Sequence, residues 1–140
     1  MSAPKRKGML TISDGRDTFS EKNNIFITEV RPGYARGELT VVPDSLNFGG
    51  IVHGGALATL ADVVGGTCAC SKGGVCVTTN CSMEFLRPAL GEKIIGEATP
   101  VKLGSTLAVV RVDLRNDQGV LVATSTFTYC MLKPENLEKS

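Results

Sequence analysis

The chain has no tryptophan, a single histidine, two tyrosines and five phenylalanines in 140 residues. So sparse an aromatic content argues against the stacking platforms that hold single-stranded nucleic acid. A surplus of either charge is missing too. Fifteen Lys and Arg stand against fourteen Asp and Glu, which leaves no basic face for a phosphate backbone, and no nucleic-acid partner is expected. Nothing reaches the roughly 18 uninterrupted apolar residues of a membrane span, since Asp62 and several glycines break the one candidate. The opening MSAPKRKGMLTISDGRD is basic and then polar, without the apolar stretch of a secretory signal. The five cysteines (Cys68, Cys70, Cys76, Cys81, Cys130) are an odd number, and a reducing cytoplasm is the expected location. Cys68 and Cys70 have the look of a chelating pair, but two residues along a helix turn through about 200° and point apart. Core thiols are expected in place of a metal site.

Length sets one domain, large enough to bury about two thirds of the surface its unfolded chain exposes. We divide it into an N-terminal segment over 1–23, partly ordered with a helical turn near Asp14–Phe19, a folded unit over 24–133 and a polar tail over 134–140. Asn24–Val30 is rich in β-branched residues, Arg31-Pro32-Gly33 signals a turn, and Tyr34–Val42 alternates until Pro43. A helix is expected from His53 or Gly54 to about Ala69, closed by Gly73-Gly74. Four strands follow, Val75–Leu86, Lys93–Leu103, Thr106–Arg115 and Val120–Leu132. In the first of these, Val75, Val77, Thr79, Cys81, Met83 and Phe85 should share a face. Two strands, one helix and four strands with short connections predict an α+β fold, a six-stranded antiparallel sheet wrapped around one long central helix. The exposed edge of such a sheet predicts pairing with a second copy.

The stretch Asn47–Ser71 carries the chemistry. Between Asp44 and Lys72 the only charged residue is Asp62. From Ala56 to Val64 the residues are small or apolar apart from Thr59 and Asp62, so the helix is expected to be buried nearly all round. A carboxylate there is costly to ionise unless it gains partners, which marks Asp62 as the candidate catalytic acid. The helix start offers N–H groups at Gly54 and Gly55 suited to a developing oxyanion. His53 and Asp62, nine residues apart, lie about 13.5 Å apart along the axis and on opposite sides; Gly55 and Asp62 share a side but lie about 10.5 Å apart. Acid and amide can therefore meet only across a two-fold axis, in a dimer with two equivalent composite sites. Plainer roles stay open for each residue: His53 as a helix cap, Gly54 and Gly55 as packing glycines, Asn47 as a loop former, Asp62 as a structural acid, Thr78 and Thr79 as ordinary strand residues.

The order Asn47-x-x-Gly50-x-x-His53-Gly54-Gly55, then Leu60-Ala61-Asp62, then Phe85-Leu86-Arg87-Pro88, resembles the hotdog-fold acyl-CoA thioesterases of the phenylacetyl-CoA (PaaI-type) branch, over about residues 24–132. The resemblance implies hydrolysis of an acyl-CoA thioester to free acid and CoA, with coenzyme A as part of the substrate and no metal or other cofactor. It implies Asp62 as general base or nucleophile, Gly55 as the oxyanion amide, Asn47 and His53 beside the thioester carbonyl, and Thr78 placing water. It places Gly54, Asn80 and Phe85 at the substrate, and the turn Lys102-Leu103-Gly104-Ser105-Thr106 beside the nucleotide and pantetheine. A homodimer as the minimal active unit, and a homotetramer, go with it. Two other readings compete: a non-catalytic acyl-CoA binding module, and a hotdog hydratase or dehydratase. The last needs a His and an acid at one carbon, and the lone His53 sits in the HGG position instead.

Overall fold

The expected helix forms over Gly54–Ala69 (α2), and its buried positions explain why it sits where it does. In the computed structural model, which describes residues 18–133, Leu57, Leu60, Ala61, Val64, Gly65 and Cys68 make one buried stripe along α2. That is the i, i+3, i+4, i+7 spacing of a helix lying on a surface. The surface is a six-stranded antiparallel sheet of β1 (Ile25–Arg31), β2 (Tyr34–Thr40), β3 (Val75–Phe85), β4 (Lys93–Leu103), β5 (Leu107–Asn116) and β6 (Leu121–Leu132), in the order β1-β2-β4-β5-β6-β3. This is the predicted architecture, and its edges are β1 and β3. The proposed N-terminal segment over residues 1–17 and the tail over 134–140 lie outside the described residues. A single helical turn, α1, forms at Phe19–Lys22 and packs on β1 and α2; the turn expected near Asp14–Phe19 falls mostly outside.

The sheet turns a concave face to α2, lined by Ala35 and Leu39 of β2, Ile94 and Ala98 of β4, and Val110, Val112 and Leu114 of β5, all 0% exposed. Gly37 and Gly96 lie side by side on β2 and β4 and form a dent in that face. A Cβ at Gly37 would stand 2.7 Å from Val64 Cγ2, and one at Gly96 would stand 3.3 Å from the same atom. The dent receives Val64 and fixes both the depth and the register of the helix.

Four expectations need correction. The helix is not buried all round, because one sheet covers one stripe; Ala58, Asp62, Val63, Gly66 and Thr67 on the other side are only half-buried. Of the cysteines only Cys68 and Cys70 are buried, while Cys76 and Cys130 are half-buried and Cys81 is exposed. Strand β2 stops at Thr40 because the chain turns away into the single 3-10 turn Pro43–Ser45, where Pro43 has no N–H to give the ladder. The fourth concerns β3, whose simple alternation fails at a bulge. Thr78 pairs with Tyr129 and Asn80 with Thr128, which leaves Thr79 as the extra residue. Before the bulge Cys76 and Thr78 face the helix; after it Cys81, Met83 and Phe85 do, opposite Phe127, Ser125 and Ala123.

If the dent sets the helix depth, Gly37→Ala should cost about 1–3 kcal/mol, the usual price of overpacking, measured by reversible denaturant unfolding.

Candidate active site

The bulge at Thr79 brings the site together. It turns Thr78 inward, and its hydroxyl donates to Asp62 Oδ1 at 2.6 Å. A third residue, not anticipated from the sequence, joins them. Tyr129 of β6, across the ladder from Thr78, directs its hydroxyl at the Asp62 main-chain carbonyl at 3.0 Å and at Asp62 Oδ1 at 3.3 Å. Both side-chain contacts fall on Oδ1; among the described residues Oδ2 accepts no hydrogen bond. Tyr129 can reach so far because Gly65 has no side chain: a Cβ there would lie 2.4 Å from the hydroxyl. Burial, then the Asp62 charge and the hydrogen bond to it, push the Tyr129 phenol far up from its ordinary value, so it remains a donor through neutral pH.

Asp62, Thr78 and Tyr129 line a cleft of about 500 Å³. Its walls include Ile27 of β1, Gly66 in the second half of α2 and Cys70 at its C-cap, Cys76 of β3, and Ser20 and Glu21 of α1. The Cys76 thiol is held well above its ordinary value, by its hydrogen bond with Cys70 first and by burial second. Half-buried, Asp62 sits on the border between the buried stripe of α2 and its open face.

The other predicted residues form a separate group at the start of α2. His53 is the N-cap, and its Nδ1 accepts from Gly55 N–H at 2.8 Å. In the single chain that amide is therefore already engaged, whereas Gly54 N–H makes no hydrogen bond among the described residues. Asn47 organises the preceding loop, its Oδ1 accepting from Gly49 N–H at 2.8 Å and Ile51 N–H at 3.2 Å. Phe85 packs beside Gly54, and both line a second hollow of about 300 Å³ with Leu57, Leu86 and Ala89.

Two further groups stand apart from both hollows. Asn80 pairs with Thr128 on the sheet face away from the helix and is exposed. Lys102 lies at the end of β4, next to the β4–β5 connection of Gly104, Ser105 and Thr106, where Gly104 N–H donates to the Leu107 carbonyl at 2.9 Å and Thr106 carbonyl accepts from Met131 N–H at 2.8 Å. A Cβ at Gly104 would stand 2.7 Å from the Leu107 oxygen, so the turn demands glycine. Within one chain, then, the acid with Thr78 and the helix start with Phe85 form two separate groups. No three or more His, Cys, Asp or Glu side chains cluster closely enough to hold a metal among the described residues. None of the described helices is long and apolar enough to cross a membrane.

One helix on a wrapped antiparallel sheet, with an acid at its middle opening into a cleft, is the hotdog arrangement. A profile of the thioesterase superfamily matches residues 49–123, which span the helix start, Asp62 and β3. Human acyl-coenzyme A thioesterase 13 is 30% identical over 132 residues, 91% of this chain and 94% of that protein. The E. coli PaaI protein from the phenylacetic acid degradation operon superposes with a TM-score of 0.80 at 26% identity, over 85% of this chain and 87% of that one. A Streptococcus mutans protein solved bound to acetyl CoA superposes with a TM-score of 0.73 at 32% identity, over 78% and 89%. The chain belongs to the thioesterase superfamily, and it is by class a thioester hydrolase.

His53→Ala, which removes the helix cap, should lower stability by about 1 kcal/mol and speed amide hydrogen exchange at Gly55, read by NMR.

Proposed function

We propose that the protein hydrolyses an acyl-CoA or aryl-CoA thioester to the free acid and CoA, at a site composed of Asp62 from one subunit and the start of α2 from another. The observation that carries this reading is the state of Asp62: a carboxylate at the middle of α2, in a cleft, with Oδ1 held by Thr78 and Tyr129 and Oδ2 accepting no hydrogen bond among the described residues. Oδ2 is the oxygen that takes a proton from water as the water oxygen adds to the thioester carbonyl carbon. The carbonyl oxygen becomes an oxyanion, for which the amides at the start of a helix are suited donors. When the tetrahedral intermediate collapses, the C–S bond breaks and the CoA sulfur takes the proton that Asp62 holds.

The amides at Gly54 and Gly55 lie about 10 Å from Asp62 along its own helix, too far for one carbonyl group to touch both. Antiparallel packing of two copies of α2 brings each acid to the other's helix start. The uncovered apolar side of α2 and the one-sided strand β3 support a dimer through that face, and a pair of such dimers would make the tetramer. In that assembly His53 Nδ1 gives up the Gly55 N–H to the substrate oxygen, or the free Gly54 N–H serves in its place. Asn47 and His53 then flank the carbonyl. The β4–β5 turn, with Lys102, Gly104, Ser105 and Thr106, together with Asn80 and Phe85, receives the CoA portion. The acetyl CoA bound in the S. mutans relative supports that substrate class.

Thiol release, followed with a chromogenic thiol reagent over a panel of acyl-CoAs, tests the activity. Asp62→Asn and Asp62→Ala should each lower kcat by about 10²-fold or more. Binding of CoA esters without thiol release would make this a binding module, and a change in enoyl absorbance without thiol release would make it a hydratase. Subunit complementation tests the composite site. Gly55→Pro removes the amide hydrogen at a first-turn position where proline is tolerated. Mixed with Asp62→Asn subunits, it should recover about a quarter of wild-type activity, since half of randomly paired dimers carry one intact site of two. No recovery would place acid and amide in the same chain.

A further inference from the structure

The geometry points to Tyr129 as a positioning residue: its hydroxyl clamps the Asp62 side chain to the Asp62 main chain and so aims Oδ2 into the cleft, with Gly65 as the gap through which it reaches. This rests on the thioesterase reading of Asp62 and adds a residue that nothing in the HGG and LAD pattern contains.

Three observations meet at this hydroxyl. It lies 3.0 Å from the Asp62 carbonyl oxygen and 3.3 Å from Oδ1, so its one proton is shared between the backbone and the carboxylate of the same residue. A donor placed there ties χ1 of Asp62 to the helix axis, because moving the carboxylate breaks a contact while the carbonyl stays. Thr78 holds the same Oδ1 from the other strand at 2.6 Å, and two donors on one oxygen leave the second oxygen as the accepting one. Finally, the position is built to admit the hydroxyl. Gly65 costs the helix intrinsic stability relative to alanine, yet alanine would put a carbon 2.4 Å from the tyrosine oxygen. Tyr129 is 1% exposed and stacks at 6.0 Å on Phe127, so its ring has little freedom to swing away.

The distinction from a merely structural tyrosine lies in which kinetic constant moves. Loss of aim at the base slows the chemical step and leaves substrate binding alone. Tyr129→Phe keeps the ring and its packing while removing the hydroxyl. In thiol-release assays with the best acyl-CoA, kcat should fall about tenfold with KM within about twofold of wild type. Gly65→Ala, which leaves tyrosine in place but displaces its hydroxyl, should give the same split. The double variant should be no slower than the slower single one, because both remove one contact. Unchanged kcat in Tyr129→Phe, or a raised KM at constant kcat, overturns the assignment. Should wild type release no thiol from any acyl-CoA, the thioesterase reading fails and crystal structures decide the clamp alone. In Tyr129→Phe the Asp62 carboxylate is then expected in more than one rotamer, and a single wild-type rotamer overturns the proposal.

Discussion

Val64 seated between Gly37 and Gly96 governs the geometry of everything else. An apolar side chain pressed into a dent in a sheet has two effects at once: it brings the helix backbone close, and it stops the helix from sliding or rolling. Closeness matters because Tyr129 and Thr78 have short reaches and can touch Asp62 only if the helix lies deep in the concave face. Fixed roll matters because Asp62 neighbours the buried stripe. A rotation of one residue's worth, about 100°, would carry the acid either under the sheet or away from its two hydroxyl donors. The site's precision is thus a packing property, delivered by Gly37 and Gly96, two residues without side chains that lie far from the acid in the chain, one well before it and one well after.

The same packing explains why the acid sits at a border. A single sheet cannot cover a helix whose every side is apolar or small, so the protomer has a buried stripe and an unfinished face. A residue at the junction enjoys donors from the covered side and access from the open one. Full burial of Asp62 would have left it hard to ionise, and full exposure would have left it without a dry cleft. Half-burial combines hydrogen bonds on one oxygen with availability of the other.

Much of this was legible in the sequence, and the reasons are specific. The start of α2 followed from His53-Gly54-Gly55, the strands from alternation between turn residues, and Asp62 from being the one charge in a long apolar stretch. The helix end, expected from Gly73-Gly74, is instead capped by Cys70, three residues earlier. What escaped was whatever depends on neighbours distant in the chain. Strand β3 alternates so regularly on paper that its two halves read as one face; the bulge at Thr79 shows only in the pairing with β6. Tyr129 reads as a core aromatic, which it also is. Gly65 inside a helix reads in sequence only as a weak point of that helix, and no local pattern says which side chain comes close to it. The engagement of Gly55 by His53 was likewise one of two readings that spacing alone leaves open.

The strand order also dictates a sequence of events. Strand β3 lies at the middle of the unit but has only one neighbour in the chain, β6, which is made last. The hairpins β1–β2 and β4–β5 can each pair through a short connection as they emerge, while β3 waits as an unpaired ribbon of eleven residues until β6 is made. Long-range closure of this kind is slow relative to local hairpins. During that interval Thr78 has no fixed place and Tyr129 has not yet been made or docked, so the growing chain carries the acid without its two hydroxyl donors. Both hydroxyl donors reach the acid in one step, with the docking of the final strand.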